Sequence, residues 1–423
     1  MKNIIFLLSF LTVNNFFAQK TVSSETLQSI YDEVKTPYKY GLVVAPADNF
    51  HKTDCPTVFR KNGKWYMSYL VYDGKSGKDG RGYETWLAES ENLLEWKTLG
   101  RILQFADDQN RWDANQRAGY IALIDNVWGG TYEPRKFNGK YWLSYFGGQG
   151  RGYESGMLHE GIAFTDKDIT TAHEWQTLDN HILSPTDKAV GWWENITQYK
   201  SSVFYDKSKK LGKPFVLFYN AGGINPANNV KAERIGIALS KDMKTWNRYA
   251  GNPVVNHEQG ISGDAYIQKI NDLYVMFYFG AFHRNKPYKA FNTFAASYDL
   301  VNWTDWTGED LIFPTEKYDN LFAHKSCVIK WNGTVYHFYC AVNEDDQRGI
   351  AVATSKNLGK SLVRFPKAEK ETFRKEIPLN EDWETKLTPL PAPPQKGGNS
   401  HIPNFEETTN APFSPSIGGG WGE

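Results

Sequence analysis

The chain is predicted to be all-β, a five-bladed β-propeller of four-stranded antiparallel blades. Three observations predict this. A two-strand motif recurs five times, three of the copies carry Asn-Gly between their strands, and a trailing element after most copies ends in tryptophan. Self-similarity at a steady internal period marks a repeat architecture, and short antiparallel strands in sets of four mark a propeller.

Each copy begins with an apolar strand, turns, and returns as an aromatic-rich strand. The copies span residues 54–69, 132–145, 199–219, 263–278 and 324–339. Asn-Gly at 62–63, 138–139 and 332–333 is the favoured two-residue hairpin turn. The trailing element ends at Trp96, Trp175, Trp246 and Trp303, and its fifth instance, 353–358, lacks the tryptophan. No helical period competes with this pattern beyond one short helix expected near 24–35.

The ends of the chain read differently. Lys2, an apolar run over 4–13 and Ala18 give residues 1–18 the layout of a signal peptide. That run is too short to span a bilayer, so a secreted or periplasmic protein without a membrane span is expected after cleavage near Ala18. Residues 19–45 form an N-terminal segment, 46–364 the propeller and catalytic domain, and 365–423 a Pro- and Gly-rich extension that wraps it or is partly disordered.

Composition narrows the function classes. The 48 basic and 48 acidic residues balance, with no basic stripe of the kind nucleic-acid binders carry. Aromatic residues make up 15%, including 15 Trp and 24 Tyr. Such rings fill propeller cores, and they also stack on the apolar C–H face of a sugar. The cysteines, Cys55, Cys327 and Cys340, are odd in number and lack metal-ligand spacing, so buried free thiols are expected and no metal or cofactor.

Propeller geometry then ranks the polar residues. The first strand of each blade starts beside the axis on one face, and the turn after it lies on the other. Residues heading first strands therefore converge: Asp54, Glu133, Lys200, Asp264, His324 and Lys325. Aligned on the Val or Ile that follows, Lys200, Asp264 and Lys325 are equivalent. Burying so many ionisable groups together is costly unless they pair or hold a ligand. Arg135 accompanies Glu133, while Trp193, Glu194, His283 and Arg284 are expected on the rim. Two near-identical loops, Gly80-Arg-Gly-Tyr-Glu-Thr85 and Gly150-Arg-Gly-Tyr-Glu-Ser155, bring Arg81 and Arg151 to the same face as paired donors for an anionic group.

These repeats, with Asp54 heading the first and Glu194 ahead of the third, resemble the five-bladed glycoside hydrolases of families 43, 32, 117 and 130. The resemblance covers roughly residues 45–360. It implies a general base at Asp54 and a general acid at Glu194. Cys55 here separates Asp54 from Pro56, and Tyr132-Glu-Pro-Arg135 stands where family 43 has Trp-Ala-Pro-Asp, so Glu133 is its loose substitute.

The expected activity is exo-acting hydrolysis of plant or algal oligosaccharides by two carboxylates. Trp192 and Trp193 would raise the pKa of Glu194, with Asp264 or Glu133 tuning Asp54. A base acting through water predicts inversion and carboxyl groups about 6.5–9.5 Å apart. The alternative is elimination across C4–C5 of a uronic acid, with His324, Lys325 or Lys200 as the base. A non-catalytic glycan-binding propeller is the third class.

Overall fold

A computed structural model describes residues 21–73, 80–257, 260–283, 286–287 and 289–367. The expected signal peptide, nearly all of the C-terminal extension and Arg284 lie outside the described residues. The chain opens with helix α1 (Ser24–Val34), where the sequence predicts one. Ser23 caps it by accepting from the Thr26 N–H, and Leu27, Ile30 and Val34 share its buried face. That face joins the largest core cluster, with Val58, Tyr266 and Val328. Glu33 accepts from the Trp128 indole at 2.6 Å and is paired with Lys330.

The strands of the described residues form two sheets of four and one of twelve. β1 (Tyr38–Val44) is first in sequence. β2 (Lys52–Lys61), β3 (Lys64–Tyr72), β4 (Tyr83–Ser90) and β5 (Lys97–Leu103) pair antiparallel in that order. So do β6 (Gln116–Ile121), β7 (Tyr141–Gly148), β8 (His159–Thr165) and β9 (Gln176–Thr177).

The large sheet repeats this plan. β10 (Thr197–Tyr205), β11 (Phe215–Asn225), β12 (Val230–Ser240) and β13 (Trp246–Arg248) form one antiparallel set. β14 (Gly260–Ile270), β15 (Leu273–Ala281), β16 (Ala290–Ser297) and β17 (Thr304–Asp305) form the next. β18 (Phe322–Trp331), β19 (Thr334–Val342) and β20 (Arg348–Thr354) are completed by β1, which pairs antiparallel with β20. Short parallel pairings, Ala232 with Gly260 and Ala290 with Phe322, join the sets. The first strands meet in a cycle: β2 touches β6 and β18, β10 touches β6 and β14, and β14 touches β18.

Local chemistry explains the repeat. Asn62, Asn138 and Asn332 have φ near +50°, and the glycine after each is also left-handed, as a type I′ turn requires. In the trailing turns, Leu93, Met243 and Leu300 are left-handed. The hydroxyls of Ser90, Ser240 and Ser297 accept their backbone N–H groups. The indoles of Trp96, Trp246 and Trp303 donate to their carbonyls at about 3 Å. The recurring tryptophan is thus a turn clamp.

The second copy departs from the predicted register. The sequence places its first strand at 132–137; in the structure that strand is β6, and residues 122–140 are an excursion between β6 and β7. The Asn-Gly turn closes only a single Phe137–Lys140 bridge. β6 escapes notice because Ala118 and Gly119 weaken its apolar pattern. Gly119 is needed there: a Cβ would sit 2.7 Å from the Leu143 side chain.

Candidate active site

Four first strands carry a β-bulge at the same height. The ladder slips between Asp54 and Thr57, Gln198 and Ser201, Gly263 and Tyr266, and His324 and Cys327. A bulge bends its strand and re-aims a side chain. Cys55, Asp264 and Lys325 within three of these bulges are left-handed, with φ of 49°, 60° and 64°. Non-glycine residues hold such angles only where the surroundings impose them. As a result Cys55, Lys200, Asp264 and Lys325 line one small pocket, with Phe146, Glu154, Tyr199, Asn220 and Phe279. It encloses about 10 Å³, room for about one water.

Lys325 is the electrostatic centre of this pocket. Its ammonium donates to Asp54 Oδ2 at 2.7 Å, and both residues are buried. Asp54 Oδ1 accepts the Cys55 N–H at 2.8 Å, and Arg348 of β20 lies 3.7 Å from Oδ2. Burial opposes the charge on Asp54, but the cations Lys325 and Arg348 outweigh it and hold the carboxyl well below its usual range. Burial likewise opposes the charge on Lys325, and Asp54 with its neighbours keeps the ammonium protonated.

The remaining carboxyls are pushed the other way. Burial raises Asp264, with Lys200 and Lys325 pulling back. Burial raises Glu154 too, opposed by Lys325, by the Tyr83 hydroxyl 2.8 Å from Oε1, and by Arg348. Glu233 is raised to about 8 by burial, by Glu154 and by Asp264, against the Asn220 amide that donates to Oε2 at 3.0 Å. Within this group, Lys200 Nζ, Asn220 Oδ1, Glu233 Oε1, Asp264 Oδ2 and His324 Nε2 have no hydrogen-bond partner among the described residues. Buried polar atoms without partners are expensive, and here they cluster.

The structure therefore gathers Asp54, Lys200, Asp264 and Lys325, with His324 alongside. Its Nδ1–H donates to the Cys340 carbonyl at 3.2 Å, and burial and Lys325 keep the imidazole neutral. The other expected residues stand elsewhere. Glu194 is buried, but its carboxylate is taken by the Tyr219 hydroxyl at 2.8 Å and the Arg248 guanidinium at 2.9 Å. The equivalent tyrosines Tyr145, Tyr278 and Tyr339 bond Asp113, Asp305 and Asp319 in the same way. Glu194 is thus one instance of a repeated tyrosine–acid latch. Trp193 lies under Tyr219, with ring centroids 5.3 Å apart, as core.

Glu133 pairs with Lys61 at the turn end of β2, 3.5 Å away, and the exposed Arg135 lies over Tyr205. Both sit away from the pocket because the register of the second copy differs from prediction. Arg81 is spent on Asn115 and on the carbonyls of Ala106 and Ala114. Arg151 is exposed. His283 donates to the Ile261 carbonyl at 2.8 Å and is lowered to about 4, chiefly by burial. The three cysteines are buried and free. No group of three or more His, Cys, Asp or Glu side chains among the described residues is placed to hold a metal.

Glu154, Glu233, Asn220 and Arg348 are members that the sequence reading does not single out. Glu154 lies in the second of the twin loops, which draw attention by their arginines. Glu233 lies in the first half of the third strand β12, opposite Gly222, at a register that the other third strands do not repeat.

No protein-family model and no curated protein matches the chain. Solved structures do. A structure described as a complex of BT0996 with RGII is 63% identical, covering 82% of this chain and all of that one, with a TM-score of 0.81. A second, described as a glycoside hydrolase, gives 63%, the same coverage and 0.80. The family 117 glycoside hydrolase Zg3597 of Zobellia galactanivorans shares the fold at 16% identity, covering 76% of this chain and 91% of its own, with a TM-score of 0.55. On the 63% identity with these two solved chains, each covered from end to end, the chain belongs to the propeller-fold glycoside hydrolases.

Proposed function

We propose that this chain hydrolyses a terminal glycosidic bond of an oligosaccharide, with Glu233 as the proton donor and Glu154 as its ionised partner. The observation that supports this most is the charge split between them. Like charges side by side cannot both ionise freely, so one carboxyl of such a pair keeps its proton. Lys325, the Tyr83 hydroxyl and Arg348 favour the ionised form of Glu154. Glu233 has chiefly the neutral Asn220 amide and is held at about 8, protonated at neutral pH. A carboxyl that holds its proton, coupled to a second whose ionised form Lys325 and Arg348 favour against burial, is the pair that glycoside hydrolysis needs.

The roles expected of Glu194 and Asp54 pass to these residues for a physical reason. Both oxygens of Glu194 are already bonded by Arg248 and Tyr219, which leaves none for a substrate. Asp54 is committed to Lys325 and serves as the fixed anion that keeps that lysine charged. Lys200, Asp264 and His324 are the contacts left for sugar hydroxyls. Five blades are read from the cycle of first-strand contacts, and export from the leader ending near Ala18.

RGII is the substrate to try first, because a 63% identical relative is described in complex with it. The test incubates the protein with an RGII oligosaccharide and weighs the products. Hydrolysis adds one water across the cleaved bond. Glu233→Gln should lower turnover by about a thousandfold; turnover at the unsubstituted rate would remove Glu233 from the reaction.

One observation favours a second reading. His324 Nε2 is buried with no hydrogen-bond partner among the described residues, so its lone pair is open to a substrate proton. Elimination on a uronic acid would use it, and would leave an unsaturated product visible by ultraviolet absorbance.

A further inference from the structure

The twin Gly-Arg-Gly-Tyr loops have no role in the chemistry above through their arginines, yet the second carries Glu154. Its backbone is unusual. Gly152, Glu154 and Gly156 have φ of 78°, 55° and 73°. The loop closes on itself so tightly that a Cβ on Gly150 would meet the Ser155 carbonyl oxygen at 2.0 Å. A left-handed glutamate is strained and persists only where other contacts fix it.

Most of those contacts come from one side chain. Gln116, the first residue of β6, is fully buried. Its Oε1 accepts the Glu154 N–H at 2.6 Å, and its Nε2 donates to the carbonyls of Ser155 at 2.9 Å and Gly150 at 3.2 Å. A single amide thus holds three points of the loop. The first twin loop makes room for it: a Cβ on Gly82 would lie 2.7 Å from Gln116 Cγ. The Gly152 N–H donates to the Gly80 carbonyl at 3.2 Å and ties the loops together.

We propose that Gln116 is a positioning residue for the reaction, which by latching the 150–156 loop fixes the carboxylate of Glu154 in the pocket that Lys325 and Asp264 also line. The proposal rests on the reading of Glu154 given above. Misplacing a reacting group by about 1 Å can cost about a hundredfold in rate. The ionisable groups that act on Glu154, or on which it acts, are Lys325, Arg348, Asp54, Tyr83, Glu233 and Tyr199. Gln116 adds no charge to that set.

Three variants test it: Gln116→Ala, the isosteric Gln116→Glu, and Glu154→Gln. Hydrogen exchange is measured across 150–156, with turnover of an RGII oligosaccharide against pH. Both Gln116 variants should exchange the loop amides at least tenfold faster while β7 and β8 stay protected. Turnover should fall about a hundredfold in Gln116→Ala with KM little changed. Gln116→Glu keeps an oxygen for the Glu154 N–H but adds a negative charge, so the acidic limb of its profile should move to higher pH. A purely structural role leaves that limb in place. Exchange as slow as in the unsubstituted protein in both variants overturns the latch, whatever the substrate. Fast exchange with unchanged turnover and pH limb overturns its part in the reaction while Glu154→Gln is inactive. An active Glu154→Gln overturns the carboxylate assignment itself.

Discussion

Glu194 and Asp54 are both buried acids that face cations, and they differ in what is left over. At the latch, Glu194 has both oxygens bonded by Arg248 and Tyr219. At the axis, Asp54 neutralises Lys325, yet Glu233, Asp264 and Lys200 beside it keep atoms with no partner among the described residues. The first arrangement is complete without a ligand. The second is unfinished, and its carboxyls are displaced upward by burial and by one another. A buried charge alone therefore says little about chemistry. Incomplete satisfaction combined with coupled carboxyls says much more.

The sharpest way to break this contrast is to remove the acid at each place. Glu233→Gln should lose about a thousandfold in turnover with no loss of stability at neutral pH. Glu194→Gln should do the reverse: turnover holds, while about 1–3 kcal/mol of stability goes as Arg248 is left with Asp187 as its one carboxylate partner. Paired turnover and denaturant measurements decide it. An inactive, fully stable Glu194→Gln would move the chemistry to the latch.

The pH response sharpens the same contrast. Glu233 is raised from 4.5 to about 8 in the folded protein. The folded state keeps a proton that the unfolded chain has released, so this group's contribution to stability is full below pH 4.5 and declines as pH rises to about 8. Unfolding free energies of the protein and of Glu233→Gln, compared across that range, should converge and then cross in this sense. Turnover should lose its basic limb near pH 8 as the donor ionises. A smaller effect tests the latch elsewhere. Tyr145→Phe removes one hydrogen bond from Asp113, which Arg111 and Arg117 still hold. About 1 kcal/mol of stability should go, with no change in turnover.

What the sequence made legible divides along the same line. The hairpin and trailing turns were readable because their chemistry is local: Asn-Gly in one, a serine and a tryptophan six residues apart in the other. The strand heads Asp54, Lys200, Asp264 and Lys325 were readable because each precedes the same apolar strand. Glu154 and Glu233 were hidden. Each reaches the axis through the pairing of a third strand or the folding of an irregular loop, and neither leaves a pattern in its neighbours. Glu194 stood out for a reason the fold reassigns: Trp193 beside it is core, and the glutamate is the third sheet's copy of a tyrosine latch.

The pairing of β1 with β20 has a consequence for how the molecule is made. Residues 38–44 wait for residues 348–354 before their backbone groups find partners. A chain emerging N-terminus first can therefore complete its early sheets while its opening strand still hangs loose. A chain cut short before residues 348–354 would leave β1 with an unpaired, adhesive edge.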